Sequence, residues 1–505
     1  MSINRIKTAA FQGIDVLPID VQVTLTTGKV DFVIVGLPDK AVGESRERVR
    51  AALHAMGLAL PPKRIVVNLS PADVLKEGSH FDLPIALGVL AASGIIGQDQ
   101  IDNFVALGEL ALDGQLSGVN GVLPAAMHAF ENSNGIICPE PNGPEAAWVE
   151  GLDIIAPLSL LALINHFKGT QVLSRPAPKL TEAIKTTLNL RDIKGQESAK
   201  RALEITAAGG HNLLMIGPPG SGKSMLASRL PSILPELSAV EALEVSMIHS
   251  IAGQLDDGKI SKTRPYRDPH HSASLPALVG GGLRAAPGEI SLAHQGVLFL
   301  DELPEFQRQT LEALRQPIET GRALIARANA HITYPARFQL IAAMNPCRCG
   351  YLDDPSRCCT KAPRCAADYQ SKISGPIFDR IDIHVDVPAV SALDLSRDAS
   401  GEKSEDVAAR IMQARERAQK RFSALDVKCR TNAEADGEIL QNIVNLSDDA
   451  QKLLADAAEK WKLSARGYHR ILRVARTIAD LAANDNVGRT HVAEALGYRR
   501  LNVKD

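Results

Sequence analysis

Along the first 170 residues the apolar positions switch between two periods. IDVQVTLTTG (19–28) alternates apolar and polar side chains, which predicts a strand with one buried face. KVDFVIVGL (29–37) reads as a second strand paired with it, and KRIVVNLSP (63–71) as another. Between them, ESRERVRAALHAMG (44–57) spaces its apolar residues at helical intervals and stops at Gly57. FDLPIALGVLAASG (81–94) is apolar all round, as a buried helix is. These patterns predict one α/β domain over residues 1–168.

The Pro-bearing stretch QVLSRPAPKLTEA (171–183) has no apolar period and marks a linker over 169–190. A second α/β unit is expected over 191–392. The polar run SRDASGEKSED (396–406) reads as a loop. Four helical patterns then fill 393–505, beginning at Ser404, Ser447, Gly467 and Arg489. No internal repeat or low-complexity segment interrupts the chain.

The composition adds limits. A 45% hydrophobic and 23% charged chain of 505 residues is that of an ordinary globular protein. No apolar run nears the roughly 20 residues that cross a bilayer. The N-terminus turns polar too soon for a signal peptide, so a cytoplasmic protein with seven reduced thiols and no membrane partner is expected. The formal net charge is −2, yet residues 460–505 carry ten Lys/Arg against four Asp/Glu, which suits a phosphate-bearing partner or a solvated helix face.

The chemistry concentrates in NLLMIGPPGSGKSMLASRL (212–230). Gly217, Gly222, Lys223 and Ser224 fit G-x-x-x-x-G-K-[ST], placed between an apolar strand and a helix. Backbone N–H groups of Gly217, Pro218, Pro219, Gly220, Ser221 and Gly222, proline nitrogens aside, and of the following residues to Met225 would surround phosphate oxygens. Lys223 would reach the β/γ-phosphates, and Ser224 would ligate Mg²⁺. GVLFLDELPEF (296–306) ends an apolar strand in Asp301, suited to hold Mg²⁺, and Glu302, suited to deprotonate water. RFQLIAAMNP (337–346) ends a third strand in Asn345, which would position that water. SGPIFDRID (374–382) presents Arg380, while Arg466, Arg470 and Arg473 share one helical face. These arginines would neutralise transition-state charge, one within the chain and one from a neighbour.

DIKGQESAKRAL (192–203), these motifs in this order and SARGYHR together resemble an AAA+ ATPase. RPYRDPHHSASLPALVGGG (264–282) and RANAHITYPARFQLIAAMNP narrow the resemblance to the magnesium-chelatase-like branch and to the YifB/ComM family, over essentially the whole chain. The resemblance implies an α/β fold in three parts: a Lon-protease-like (ribosomal S5 domain 2-like) domain, an AAA+ P-loop domain and a helical lid. It makes Lys223 and Ser224 the Walker A residues, Asp301 and Glu302 the Walker B pair, and Asn345 sensor 1. Arg380 becomes the arginine finger acting on a neighbour, Arg466 the sensor 2 arginine, and Ile193 and Lys194 neighbours of adenine. A homo-hexameric ring using ATP and Mg²⁺ follows. The activity implied is a DNA motor, a helicase promoting branch migration of single-stranded or branched DNA in recombination or natural transformation.

A protein remodeller and the ATPase of a metal chelatase are the other readings, the latter requiring a separate D-x-S-x-S partner. For the DNA motor, the 264–282 insert and the hairpin 323–334 are the expected pore elements. Arg264, Arg267, Arg284 and Arg327 would contact phosphate there, or else shape subunit interfaces. A Lon-like protease needs a Ser–Lys pair. Ser79 is present, but His80-Phe81-Asp82 follows it and Asn120 stands where the Lys is expected, so the domain reads as proteolytically inactive. Finally, Cys347, Cys349, Cys358 or Cys359, and Cys365 offer four thiolates to a structural Zn²⁺; unmetallated thiols or a redox switch are the alternatives.

Overall fold

The structure is a computed structural model that describes residues 3–180, 188–255, 258–282, 285–326, 331–352, 357–391 and 401–499. Arg284 and Arg327 lie outside the described residues.

The N-terminal part is built on a seven-stranded sheet. Its elements are β1 (Asn4–Gln12), β2 (Asp15–Thr26), β3 (Asp31–Val35), α1 (Lys40–Ala55), β4 (Arg64–Ser70), α2 (Asp82–Ala92), β5 (Phe104–Ala106), α3 (Val122–Glu131), β6 (Gly135–Ile137) and β7 (Ile154–Ile155). The strand order is β3-β4-β2-β1-β5-β6-β7. The sequence pairs the stretches 19–28 and 29–37, and the structure does not. β4 lies between them, antiparallel to β2 from Asp20↔Ser70 to Thr26↔Arg64 and parallel to β3. α1, whose first turn is capped by Asp39 Oδ1 accepting from Val42 N at 2.7 Å, forms the crossover that parallel strands need. The seven-residue ladder of β4 buries Ile65, Val67 and Leu69 and outcompetes the shorter β3 for the edge of β2. α2 is buried along its whole length beneath the sheet, as its all-apolar sequence predicts.

The second sheet is entirely parallel. Its strands are β8 (Leu213–Ile216), β9 (Tyr266–Arg267), β10 (Val297–Leu300), β13 (Gln339–Met344) and β14 (Ile383–Asp386), in the order β9-β10-β13-β8-β14; β11 (Arg322–Ala326) and β12 (His331–Pro335) form a separate hairpin. Helices cover both faces, so LLMI, VLFL and QLIAAM are apolar without alternation. α4 (Glu197–Gly209), α5 (Lys223–Arg229) and α6 (Ala239–Ala252) belong to this layer, with α7 (Arg364–Gln370) and α8 (Gly375–Phe378) leading into β14. α3 docks against α6, where the buried Glu145 carboxylate accepts from Leu123 N at 2.9 Å and from Ser250 Oγ at 2.5 Å.

The C-terminal helices are α9 (Ser404–Ala424), α10 (Gly437–Ile443), α11 (Asp448–Lys460), α12 (Ala465–Leu481) and α13 (Arg489–Gly497). They share one hydrophobic core with α4, β8 and α5, running from Ile193 and Leu203 to Ile471 and Val474. Within it, Asp480 (1% exposed) binds Arg421 through two bonds of 2.9 and 2.7 Å, Arg476 at 3.1 Å and Asn432 at 2.8 Å. Three arginines of the positive C-terminal stretch are thus paired with acids, Arg476 on Asp480, Arg470 on Asp379 and Arg473 on Asp436. Among the described residues no helix is long and apolar enough to cross a membrane.

Removing one partner of a buried ion cluster leaves the others uncompensated. Asp480→Ala is expected to lower stability by about 3–5 kcal/mol, read as a shift in the urea midpoint. Burial also holds the His80 imidazole down to about 4 from an ordinary 6.5. The unfolded chain then binds the extra proton, so this contribution is complete above pH 6.5 and disappears as pH falls toward 4. The slope of stability against pH across that window should flatten in His80→Gln.

Candidate nucleotide site

β8 ends at Ile216, the loop 217–222 follows, and α5 begins at Lys223. The loop closes because Gly222 sits at φ 93°, a conformation without steric cost only for glycine. Lys223 folds back so that Nζ donates to Gly217 O at 2.8 Å, Pro218 O at 2.9 Å and Asn345 Oδ1 at 3.3 Å. Burial pulls its pKa below the ordinary lysine value, opposed by the charges of Asp301 and Glu302. Ser224 Oγ donates to Asp301 Oδ2 at 2.6 Å. A hydroxyl and a carboxylate in contact beside a lysine make the hard oxygen donor set that Mg²⁺ with a phosphate takes. The residues fit both groups.

Asp301 and Glu302 leave the end of β10. Asp301 Oδ1 accepts from Glu302 N at 2.8 Å. Glu302 adopts φ 50°, ψ 46°, a left-handed backbone that costs a non-glycine residue roughly 1–3 kcal/mol and recurs at functional sites. Its Oε2 lies 3.3 Å from Nδ1 of His271. Asn345 follows β13 beside Lys223. Walker A, Walker B and sensor 1 residues are therefore brought together at one edge of the parallel sheet.

Ile193 is buried in the core, and Lys194 follows it half-buried. Gln196 ties this stretch to the loop by donating to Ser221 O at 3.2 Å and Pro388 O at 2.6 Å. Met225 is half exposed on the first turn of α5.

The arginines stand elsewhere. Arg380 donates to Pro376 O at 2.6 Å and pairs with Glu319; Arg466 reaches the same Glu319 at 3.8 Å. Both line a cavity of about 800 Å³ with Asn212, Phe338, Arg470 and Arg473. Asn212 precedes β8 and receives Asp382 N at 3.1 Å, so this cavity lies at the opposite strand ends from the phosphate loop. The five residue steps from Asn212 to Gly217 span roughly 16 Å. Arg466, expected to act within its own chain, lies beside Arg380 at the far strand ends. Arg470 and Arg473, on the same helix, are held by Ile381 O at 3.0 Å and Ala435 O at 2.6 Å.

Two of the expected DNA contacts have partners within the chain. Arg264 is nearly buried, donating to Pro235 O and Gln295 O at 2.7 Å and to Glu241 at 3.2 Å. Arg267 forks onto Glu289 at 2.6 and 2.8 Å. Tyr266 and Arg267 form an edge strand beside β10, so this part of the insert builds the Walker B flank. Asp268 and His271 of the same stretch were not foreseen in their contact with it; burial and then Asp301 raise the Asp268 carboxyl pKa. Nor was Glu319 foreseen. A two-residue strand has no readable period, and a lone glutamate after a short helix carries no motif.

In the N-terminal part, Ser79, His80, Glu109 and Asn120 line a cavity of about 1090 Å³. Ser79 Oγ donates to the Glu109 carboxylate, and His80 Nε2 is engaged by Ala9 O at 2.9 Å. Asp82 is held by Arg48 at 2.6 and 2.9 Å, which leaves it no contact with His80 as a catalytic pair. Four of the clustered cysteines also meet: the thiols of Cys347, Cys349 and Cys365 lie within 4.8 Å of one another, and Cys359 adjoins them.

Three family profiles match the chain: magnesium chelatase, subunit ChlI, over residues 189–395; subunit ChlI of Mg-chelatase over 21–142; and magnesium chelatase, subunit ChlI C-terminal, over 401–499. With the parallel sheet and its Walker residues, they define an AAA+ ATPase of the magnesium-chelatase type. The chain is 44% identical to YifB of Escherichia coli K12 and 43% identical to the competence protein ComM of Haemophilus influenzae, in each case over 99% of this chain and 98% of the relative. The magnesium-chelatase 38 kDa subunit of Rhodobacter capsulatus is 32% identical over 30% of this chain and 49% of its own. The chain belongs to the YifB/ComM family.

Glu302→Gln keeps the shape of the site and removes the carboxylate expected to serve as its base. It should bind ATP with unchanged affinity while turnover falls about 10²–10⁴-fold, measured by phosphate release beside fluorescent-nucleotide binding.

Proposed function

We propose that this chain hydrolyses ATP in a closed ring, a homo-hexamer, and uses the cycle to move along single-stranded or branched DNA. The observation that carries the ring is the separation of Arg380 and Arg466 from Lys223 by the length of the strands. A site with its base on one edge and its arginines on the other is completed only by a neighbour.

Bound Mg²⁺ and ATP supply the scissile phosphate and the cation that neutralises its charge; Ser224 and Asp301 would hold the metal. Lys223, already directed by three oxygen acceptors, exchanges carbonyl partners for phosphate oxygens. Glu302 takes the proton of the attacking water, and His271 holds its carboxylate to one side until then. Asn345 fixes the position of that water. Arg380, pinned by Glu319 and Pro376 O, is presented to the adjoining protomer with Arg466 beside it.

DNA as the track rests on the kinship with a competence protein and on the β11–β12 hairpin, which projects from the ATPase layer and packs at Gly13 against the N-terminal domain. The three parts then divide the work as an inactive Lon-like domain that guides assembly, a motor layer and a helical lid. Branch migration during natural transformation or general recombination is the activity this arrangement suits.

Lys223→Ala and Arg380→Ala should each abolish hydrolysis, and mixing the two should restore part of it, because a mixed ring contains intact composite sites. Failure of every mixing ratio, with rings confirmed by size, would sink the trans assignment. Low-salt DNA should raise the ATPase rate, and a labelled three-way junction should be resolved only with ATP; no response to any DNA at low salt would end the DNA reading.

A further inference from the structure

The segment that joins sensor 1 to the arginine-finger box has almost no apolar core of its own. Its buried cluster consists of Cys347, Cys365 and Ala366, with Cys349, Leu352, Cys359 and Ala362 packed against them. Four cysteines, two alanines and a leucine bury too little surface to hold a loop of this length by the hydrophobic effect. The sulfurs nevertheless converge. Sγ of Cys347 and Cys349 are 3.1 Å apart, and both lie within 4.8 Å of Sγ of Cys365. The Cys359 thiol hydrogen-bonds those of Cys349 and Cys365. Four thiolates around Zn²⁺ at ~2.3 Å would sit about 3.8 Å from one another, a spacing that the 3.1 and 4.8 Å of Cys347, Cys349 and Cys365 bracket.

We propose that Cys347, Cys349, Cys359 and Cys365 bind one Zn²⁺ as a closed tetrahedral thiolate site, and that the clipped loop braces the phosphate-binding loop. The choice between the adjacent Cys358 and Cys359 falls on Cys359, whose thiol meets two of the other three. Backbone N–H groups point at the sulfurs, Gly350 at Cys347 and both Tyr351 and Cys359 at Cys349, as they do where thiolates are held for a metal. A Zn²⁺ with four thiolates carries two net negative charges, and Arg348, Arg357, Lys361 and Arg364 in the same segment balance them. Sulfur ligands exclude Mg²⁺ and Ca²⁺, and a site closed by four protein ligands has no open position for catalysis.

The brace is a backbone contact. Gly350 follows the C-x-C pair at φ +83°, and a Cβ built there would lie 2.5 Å from Cδ and 2.7 Å from Cγ of Pro219. The loop thus rests directly on the phosphate-binding loop, while Asn345, two residues before Cys347, touches Lys223 on the other flank. On the far side Gln370 of α7 donates to Pro346 O at 2.8 Å, and Lys372 pairs with Glu305 at 3.3 Å, beyond the Walker B pair. Metal binding would hold these contacts in one geometry. The bracing half of this proposal rests on the nucleotide reading above; the metal half does not.

Full-length protein purified without chelator is the test, with metal content read by mass spectrometry against protein concentration. Wild type and Cys358→Ser should each carry one zinc per chain, and Cys359→Ser and Cys365→Ser should carry almost none. Because a cysteine variant can misfold, wild type stripped of zinc and given Co²⁺ provides a second reading, the intense visible absorption of tetrahedral cobalt–thiolate. Wild type that holds no zinc and gives no such absorption overturns the site, as does stoichiometric iron, or a chain lighter by two hydrogens from a disulfide. Loss of zinc from Cys358→Ser with retention in Cys359→Ser overturns the ligand assignment. For the brace, removing zinc should weaken fluorescent-nucleotide binding about tenfold, and restoring zinc should recover it. Unchanged affinity at zero zinc overturns the brace and leaves the metal site standing.

Discussion

Five strands of the second sheet run in the same direction, and that one constraint orders the chemistry. A parallel strand ends where its neighbours end, so Gly217, Asp301 and Asn345, far apart in sequence, emerge at one edge. There the backbone stops satisfying its own hydrogen bonds, and a lysine, a hydroxyl and two carboxylates take over. The opposite edge collects Arg380 and Arg466 around Glu319. The sheet thereby separates Lys223 from Arg380 and Arg466 by the length of its strands, and the composite site proposed above rests on that separation.

That separation has meaning only if the lid cannot swing. Arg466 begins α12, and α12 is anchored by Asp480, which gathers Arg421, Arg476 and Asn432. Such a cluster adds little net stability against an apolar alternative, but it tolerates few arrangements, since each donor must find its acceptor. The core that joins α12 to α4 and α9 passes this rigidity to the ATPase layer. The N-terminal domain is coupled too, through Glu145 and Ser250 and through Gly13 against the β11–β12 hairpin. α6 and the hairpin therefore both touch the first domain directly.

Strain and burial mark the working residues of the site. Glu302 holds a left-handed backbone, and burial pulls the Lys223 pKa below the ordinary lysine value against the opposing charges of Asp301 and Glu302. Neither feature helps the fold; both prepare groups for a charged ligand. Asp268 and His271 follow the edge strand β9, which makes the flank of Asp301 and Glu302 a joint product of two separate segments.

What the sequence determined by itself is whatever lies within one turn or one strand end. The strand–loop–helix around Lys223, the DE pair, Asn345, the α2 helix and four of the five C-terminal helices were legible, because local periodicity and short motifs encode them directly, whereas the seven-residue α10 was too short to show a period. Tertiary structure decided the rest. Pairing β2 with β4 instead of β3 depends on the crossover of α1 and on competition between ladders of unequal length. The partners of Arg264 and Arg267 are carbonyls and carboxylates more than twenty residues away, which no local pattern announces. Which edge Arg466 occupies depends on how α12 packs against α4. Charge and period are properties of a segment, whereas partners across space are set only when the whole chain has closed around them.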